Sequence, residues 1–274
     1  MKILTALLSL FCIATTYAAS PAKRVITLTP NATELAFSAG LGPAIVGVSD
    51  YSDYPVRAKN IERVANYQSI NIERILALKP DLVIAWRAAN PDKQLIKLKQ
   101  LGVHIYYLHI QTLPDIAATI RDLSQYSADP KKGQQAAQAF SAQLTKLSQH
   151  YHTKQLVPYL YLMGNKPMMT MAKSSWPSPV FQFCGGKNTF ADSEAPYPEI
   201  SVEQVLVAKP QAIFSTDSPK NVYAMWRTWQ AFVPAISKHH VTQLNADWLN
   251  RPTLRTLKVV QDVCQKLEAI RQNH

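Results

Sequence analysis

The sequence predicts an α/β protein of two similar lobes bridged by one long helix, with a ligand cleft between the lobes. Three observations predict it. Short aliphatic runs alternate with helical patterns, one stretch occurs twice, and a segment rich in Ala, Gln, Lys and Leu separates the two copies.

The first residues, MKILTALLSLFCIATTYAAS, place Lys2 before an apolar run from Ile3 to Ala14, followed by small residues at Ala18 and Ala19. The run is too short to span a bilayer, so residues 1–19 read as a secretory signal peptide and the mature chain is expected to be exported. Cys12 lies inside the run, after Phe11, and not behind small residues where a lipid-accepting cysteine stands. Cleavage leaves Cys184 and Cys264. In an oxidising compartment they most simply pair; the alternative is two buried thiols.

Residues 20–128 are predicted to form the N-terminal lobe. Val25, Ile26 and Leu28 make a strand, Thr29-Pro30-Asn31 a turn, and Thr33 to Ala39 a short helix stopped at Gly40. AIVGVS is a second strand. Next comes the first copy of the repeat, NIERILALKPDLVIA: Asn71 is the N-cap, Ile72, Ile75, Leu76 and Leu78 form an apolar face, Pro80 ends the helix and DLVIAW is a buried strand. QLIKLKQLG is a helix closed by Gly102, and VHIYYLH a further strand.

Residues 129–155 are predicted as the linking helix, with Phe140, Leu144 and Leu147 at helical spacing. Residues 156–274 form the C-terminal lobe, opening with LVPYLYLM. The second copy, SVEQVLVAKPQAIFS, repeats the pattern: Ser201 and Gln204 make a capping box, Pro210 breaks the helix, AIFST is the strand, and a last helix runs from about Thr253 to Arg271. Glu73 and Glu203 hold the same place in copies 130 residues apart. That spacing implies two lobes, each with its own core, and places a binding site in the cleft between them.

A formal charge of +11 raises the question of nucleic acid, but the basic residues are scattered and no basic run interleaves with aromatics, so no nucleic-acid partner is expected. No G-x-S-x-G, H-E-x-x-H or Gly-rich phosphate loop occurs, and no nucleophile stands beside a base, so no catalytic residues are expected and a hydrolase is disfavoured. His239-His240, His150 with His152, and His104 with His109 supply too few ligands in too poor a spacing for a metal site.

The candidates are aromatic. Tyr51, Tyr54, Tyr67, Trp86, Trp176, Tyr197 and Trp248 stand near strand ends in loops of both halves. Any one of them can simply cap a core; the set favours a cleft for a flat or apolar ligand. Asp247 and Arg251 flank Trp248 at i, i+4, either as a surface ion pair or as hydrogen-bonding groups for a ligand edge. Glu73 and Glu203 suit the positive ends of their helices, and they also offer two quasi-symmetric acidic points to a two-fold partner with basic sockets.

RVITLTPNATELAFSAG, VGVSDYSDYP, SINIERILALKPDLVIAWR and CGGKNTF with PEISVEQVLVAKPQAI resemble the periplasmic vitamin B12-binding proteins of bacterial ABC importers, over essentially the whole mature chain. The resemblance implies two Rossmann-like α/β lobes bridged by a rigid helix, a periplasmic location, and a disulfide between Cys184 and Cys264. It implies cobalamin as a transported ligand and no cofactor or resident metal. Tyr51, Tyr67, Trp86 and Tyr197 would line the corrin cleft, with Met163, Asp247, Trp248 and Arg251 near the ligand. Glu73 and Glu203 would dock on arginines of an inner-membrane permease dimer with its ATPase subunits, and the chain would act as a monomer. Tyr67 and Tyr197 stand where tryptophan is familiar in such proteins, and Met163 where phenylalanine is. A haem or ferric-siderophore binder of the same architecture is the alternative, although Arg87 and Arg251 are the only evident cleft arginines for an anionic siderophore.

Overall fold

The computed structural model describes residues 21–151 and 155–272. The signal-peptide reading and His152 lie outside the described residues.

The N-terminal half alternates strand and helix: β1 (Val25–Thr27), α1 (Pro30–Ser38), β2 (Ile45–Ser49), β3 (Arg63–Ala65), α2 (Ile72–Ala77), β4 (Leu82–Ala85), α3 (Asp92–Gln100), β5 (Ile105–Tyr107) and α4 (Leu113–Ser124). Among the described residues its strands form one parallel sheet in the order β3-β2-β1-β4-β5. Helix α1 starts earlier than the sequence predicts. Thr29 is its N-cap and Pro30 its first residue, so the expected turn is the first helical turn. Proline suits that position, where its missing N–H is not needed.

Helix α5 (Pro130–His150) crosses to the second half. Its Gly133 is an approach point: a Cβ there would collide with Ser124 and Ala39. The C-terminal half then runs β6 (Val157–Leu162), the small hairpin β7 (Gly164–Asn165) and β8 (Met168–Met169), α6 (Ser178–Phe183), β9 (Gly186–Asn188), α7 (Val202–Ala208), β10 (Ala212–Ser215), α8 (Pro219–Trp226), α9 (Pro234–Ser237), β11 (Val241–Gln243), α10 (Ala246–Asn250) and α11 (Thr256–Gln272). Its main sheet is parallel, in the order β11-β10-β6-β9. Strands β4 and β10, the two repeat strands, are buried along their whole length. Continuous apolar runs are what a parallel sheet covered on both faces requires.

The lobes do not have wholly separate cores. One buried cluster runs from Val25 and Leu35 through Ala137, Phe140 and Leu144 of α5 to Tyr159, Phe181 and Val263. Among the described residues each lobe has a private cluster only on the other face of its sheet, around Ile26 and Val83 in one and Leu160 and Ile213 in the other. The long helix is therefore a packed layer shared by both halves, and shear between them would break close-packed contacts. Cys184 and Cys264 are disulfide-bonded, tying the end of α6 to α11. Arg271, near the end of α11, adds hydrogen bonds from Nη2 to the Cys184 carbonyl at 2.6 Å and from Nε to the Gln155 carbonyl at 2.8 Å.

Candidate functional site

In an open parallel sheet, groups that bind ligands collect at the carboxyl ends of strands, where the strand order reverses. In the N-terminal lobe that point is β1, between β2 and β4. Asn31, Tyr51, Tyr67 and Trp86, from the segments that follow β1, β2, β3 and β4, line one cavity of about 210 Å³ together with Asn250 and Arg251 of the other lobe. A second cavity of about 590 Å³ shares Trp86 and lies between the segment after β5 and the loops carrying Trp176 and Tyr197. Trp86 thus stands where the two cavities meet, in a cleft walled by both lobes.

Local structure fixes each ring. The Trp86 backbone N–H donates to Asn90 Oδ1 at 2.9 Å, and buried Asn90 donates from Nδ2 to the Leu28 carbonyl at 2.9 Å, which pins the loop after β4 to the end of β1. Tyr51 takes a left-handed backbone with φ 60°. The turn below it is held by a buried chain of hydroxyls in which Thr33 Oγ1 donates to Ser52 Oγ at 2.9 Å and Ser49 Oγ lies 3.1 Å from Ser52 Oγ. Asn66 Oδ1 accepts the N–H groups of Gln68 and Ser69 at 2.9 and 2.8 Å, an Asx turn that presents Tyr67. Across the cleft, the Tyr197 hydroxyl donates to the Trp176 carbonyl at 2.9 Å, and the Trp176 indole N–H donates to the Leu249 carbonyl at 2.7 Å. Burial pushes the Tyr197 phenol above its ordinary range, so it stays a neutral donor.

Tyr51 and Tyr67 are 74% and 78% exposed. Neither ring caps a core, and two uncovered aromatic rings on one cavity wall offer a large apolar area to a flat ligand. Trp176, by contrast, is buried and serves the core as well as the cleft wall.

A charge cluster joins the lobes beside these rings. Arg251 Nη1 lies 2.7 Å from Asp53 Oδ1 and 3.5 Å from Glu34 Oε1, and Nη2 lies 3.0 Å from Asp247 Oδ1. Arg255 donates from Nε to Glu34 Oε2 at 2.9 Å and from Nη2 to Oε1, and its guanidinium sits 4.3 Å from the centre of the Tyr54 ring. Glu34 is only 3% exposed, so both its oxygens depend on these arginines. Burial raises the Asp53 carboxyl, but its bond to Arg251 and the nearby positive charge more than offset this and hold it below its ordinary value of 3.8. Asp247 and Arg251 therefore form an ion pair, and Arg251 also lines the cavity.

Comparison with known proteins decides the family. A family model described as periplasmic binding protein matches residues 25–248. The chain belongs to the periplasmic binding protein family. This periplasmic binding protein is 50% identical over 265 residues to a vitamin B12-binding protein of Vibrio parahaemolyticus, covering 97% of this chain and 96% of that one. The crystal structure of the periplasmic vitamin B12-binding protein BtuF of Vibrio cholerae superposes with a TM-score of 0.88 at 52% identity, covering 92% of this chain and 98% of that one. The haem-binding protein BhuT, in complex with two haems, superposes with a TM-score of 0.80 at 20% identity, covering 90% of this chain and 98% of that one, a likeness of fold alone. Membership places the chain among binders of transported substrates and not among enzymes.

Of the residues nominated from sequence, the binding protein brings Tyr51, Tyr67, Trp86 and Arg251 to one cavity and Trp86 and Tyr197 to the next. Met163 lines a separate cavity of about 350 Å³ at the carboxyl ends of β6 and β10. Trp248 packs against the shared core with Lys258 Nζ 4.8 Å from its ring centre, outside the linings of both cleft cavities. Glu73 and Glu203 are exposed in the first turns of α2 and α7, each behind a side-chain cap, Asn71 and Ser201. The Ser201 hydroxyl above all lowers the Glu203 carboxyl from its ordinary value. Leu76 does not join the buried face of α2; it is 37% exposed, and Val207 of α7 is 82% exposed. Among the described residues no cluster of three or more His, Cys, Asp or Glu is placed to hold a metal ion. The histidines set aside in the sequence have other contacts: His240 Nδ1 lies 3.0 Å from the Gln211 carbonyl, and His104 packs edge-on to Tyr126.

Sequence reasoning missed Glu34, Asp53, Arg255 and Asn31. Glu34 and Arg255 stand 221 residues apart, so no local pattern announces their pairing. Asn31 is 2% exposed and lines the cavity with a buried Nδ2 that has no hydrogen-bond partner among the described residues.

Proposed function

We propose that the chain is a periplasmic carrier that captures vitamin B12 in the interlobe cleft and hands it to an inner-membrane ABC importer. The observation that carries the reading is the set of rings at Tyr51, Tyr67, Trp86 and Tyr197, held on rigid turns around one cleft with the first two uncovered. The corrin stacks over these rings, and Arg251, oriented by Asp247, meets its polar edge. Trp176 and Tyr197 wall the ligand from the C-terminal lobe, while Met163, in its own cavity, and Trp248, packed on the core, are outer positions. Identity near 50% to proteins named as vitamin B12-binding supports the same ligand here. The shared core and the α5 layer favour a cleft that is formed before binding, which lowers the ordering cost.

The working chain is the exported one. The signal peptide of residues 1–19 is removed, leaving lobes 20–128 and 156–274 on the linking helix 129–155, as a monomer. Glu73 and Glu203, each beside an exposed apolar side chain, Leu76 or Val207, dock on basic sockets of the two-fold permease, which is driven by its ATPase subunits. Native mass spectrometry of the protein with cyanocobalamin tests the capture: one added cobalamin per chain is expected, and none added would contradict it. Glu73→Lys with Glu203→Lys tests delivery: binding is kept and uptake is lost, whereas normal uptake would remove the docking role.

A further inference from the structure

The two cavities of the cleft differ in unsatisfied charge. At the Tyr51 end, Arg251 is already engaged by Glu34, Asp53 and Asp247, and Asp50 is in the lining. The larger cavity carries Arg87, His109 and Lys173 and no acidic side chain in its lining. Arg87 follows Trp86 directly, its guanidinium stacks 4.5 Å from the centre of the Tyr107 ring, and it has no carboxylate partner among the described residues. Stacking on the ring leaves the edge donors of a guanidinium free and reduces the freedom they lose on binding. Lys173 bonds Asp192 at 2.6 Å, but both side chains are largely exposed, at 62% and 86%, so that pair is weak and open to exchange. Asp115, which feels the charge of His109, is occupied in capping α4, accepting the N–H groups of Gln111 and Thr112 at 2.9 and 2.7 Å.

We infer that the Arg87 end of the cleft, with Lys173 opposite on the other lobe, is a subsite for an anionic group carried on a tail beyond the ligand's flat ring. The inference rests on the corrinoid reading and extends it by orienting the ligand. In cobalamin the anionic group is the phosphodiester of the nucleotide loop; in a porphyrin it is a propionate carboxylate. The ring then lies over Trp86 toward Tyr51 and Tyr67, and the tail enters the larger cavity. A charge-assisted bond from a guanidinium that loses no carboxylate partner is a net gain on binding.

The test is calorimetric titration of wild type, Arg87→Ala and Lys173→Ala with three ligands: cyanocobalamin, dicyanocobinamide, which keeps the corrin but lacks the nucleotide loop and its phosphate, and haem. Arg87 is exposed, so its variant is expected to melt with the wild type, and a thermal scan checks this. Wild type is expected to bind cobalamin at least about tenfold more tightly than cobinamide. Arg87→Ala is expected to weaken cobalamin about tenfold and Lys173→Ala about threefold, with cobinamide affinity unmoved. Equal loss for both corrinoids, or no loss for cobalamin, overturns the subsite while leaving the carrier reading in place. Arg87-dependent binding of haem with neither corrinoid bound upholds an anionic subsite and overturns the corrinoid reading.

Discussion

Glu34 ties the lobes through Arg251 and Arg255, and Glu34→Gln tests that tie directly. The substitution keeps the shape and removes the charge. In the protein, the carboxylate is 3% exposed and accepts from Arg255 through both oxygens, with Arg251 at 3.5 Å. Removing it leaves the Arg255 guanidinium, itself 14% exposed, without its carboxylate and close to another cation. Breaking a buried pair from one side costs about 3–5 kcal/mol, and because Arg255 keeps its ring contact with Tyr54 and some solvent the lower end applies, about 3 kcal/mol. For a chain of this size that is a fall in Tm of about 6–12 °C. The assay is urea and thermal unfolding of Glu34→Gln, Arg255→Met and the double variant. A coupling energy of about 1–3 kcal/mol is expected, so the double variant costs less than the two singles together. A loss below about 0.5 kcal/mol for Glu34→Gln, or strict additivity, would refute the claim that this pair joins the lobes.

Other outcomes follow from the same geometry. Tyr51→Ala and Tyr67→Ala each remove a ring that a ligand would cover; about 100 Å² at about 25 cal/mol per Å² gives up to about 2.5 kcal/mol, so corrinoid affinity should fall by up to about 70-fold by calorimetry while the ligand-free Tm holds. Replacing Cys184 and Cys264 together with serine opens a crosslink spanning 80 residues, for a loss of up to about 4.5 kcal/mol read by urea unfolding; unchanged stability would contradict the crosslink. The Asp53 carboxyl is depressed in the folded state, so its contribution is present above its ordinary value of 3.8 and lost as pH falls through the folded value. Asp53→Asn should therefore narrow the Tm difference between about pH 3 and about pH 6, and an unchanged pH profile would contradict the Arg251 bond.

Much of the architecture was legible because it rests on local chemistry. Asn71 and Ser201 cap their helices, the strands behind Pro80 and Pro210 are buried runs, and α5 follows the Phe140–Leu144–Leu147 spacing. The boundary of α1 was missed because Pro30 reads as a turn residue until Thr29 is seen capping the helix. Helix α4 is signalled by the Thr112 and Asp115 capping box, but Pro114 in its first turn masks it as a loop. The expected cores are only partly separate because α5 buries Ala137 and Phe140 in a layer common to both lobes, and helical periodicity says which face is apolar but not whom it meets.

In the cleft, Tyr51, Tyr67 and Trp86 were legible as loop aromatics at strand ends, a local property. Glu34 was not, since a glutamate in TELAF reads as a solvated side chain until Arg255 arrives from 221 residues away. Nor was Asn90, whose bond to the Leu28 carbonyl spans 62 residues. Trp176 and Trp248 show the limit of the aromatic argument, because one is mostly core and the other lies beneath Lys258. An aromatic side chain in a polar loop carries the same local signal whether its ring faces a ligand or a lysine ammonium.

Calorimetric titration of the mature, oxidised protein with cyanocobalamin, beside haem and a ferric siderophore, separates a corrinoid carrier from a haem or siderophore carrier of the same fold. A one-to-one isotherm with Kd below about 1 μM, near −8 kcal/mol, is expected for the corrinoid alone. Silence with cobalamin and saturable heat from haem or the siderophore would contradict the corrinoid reading.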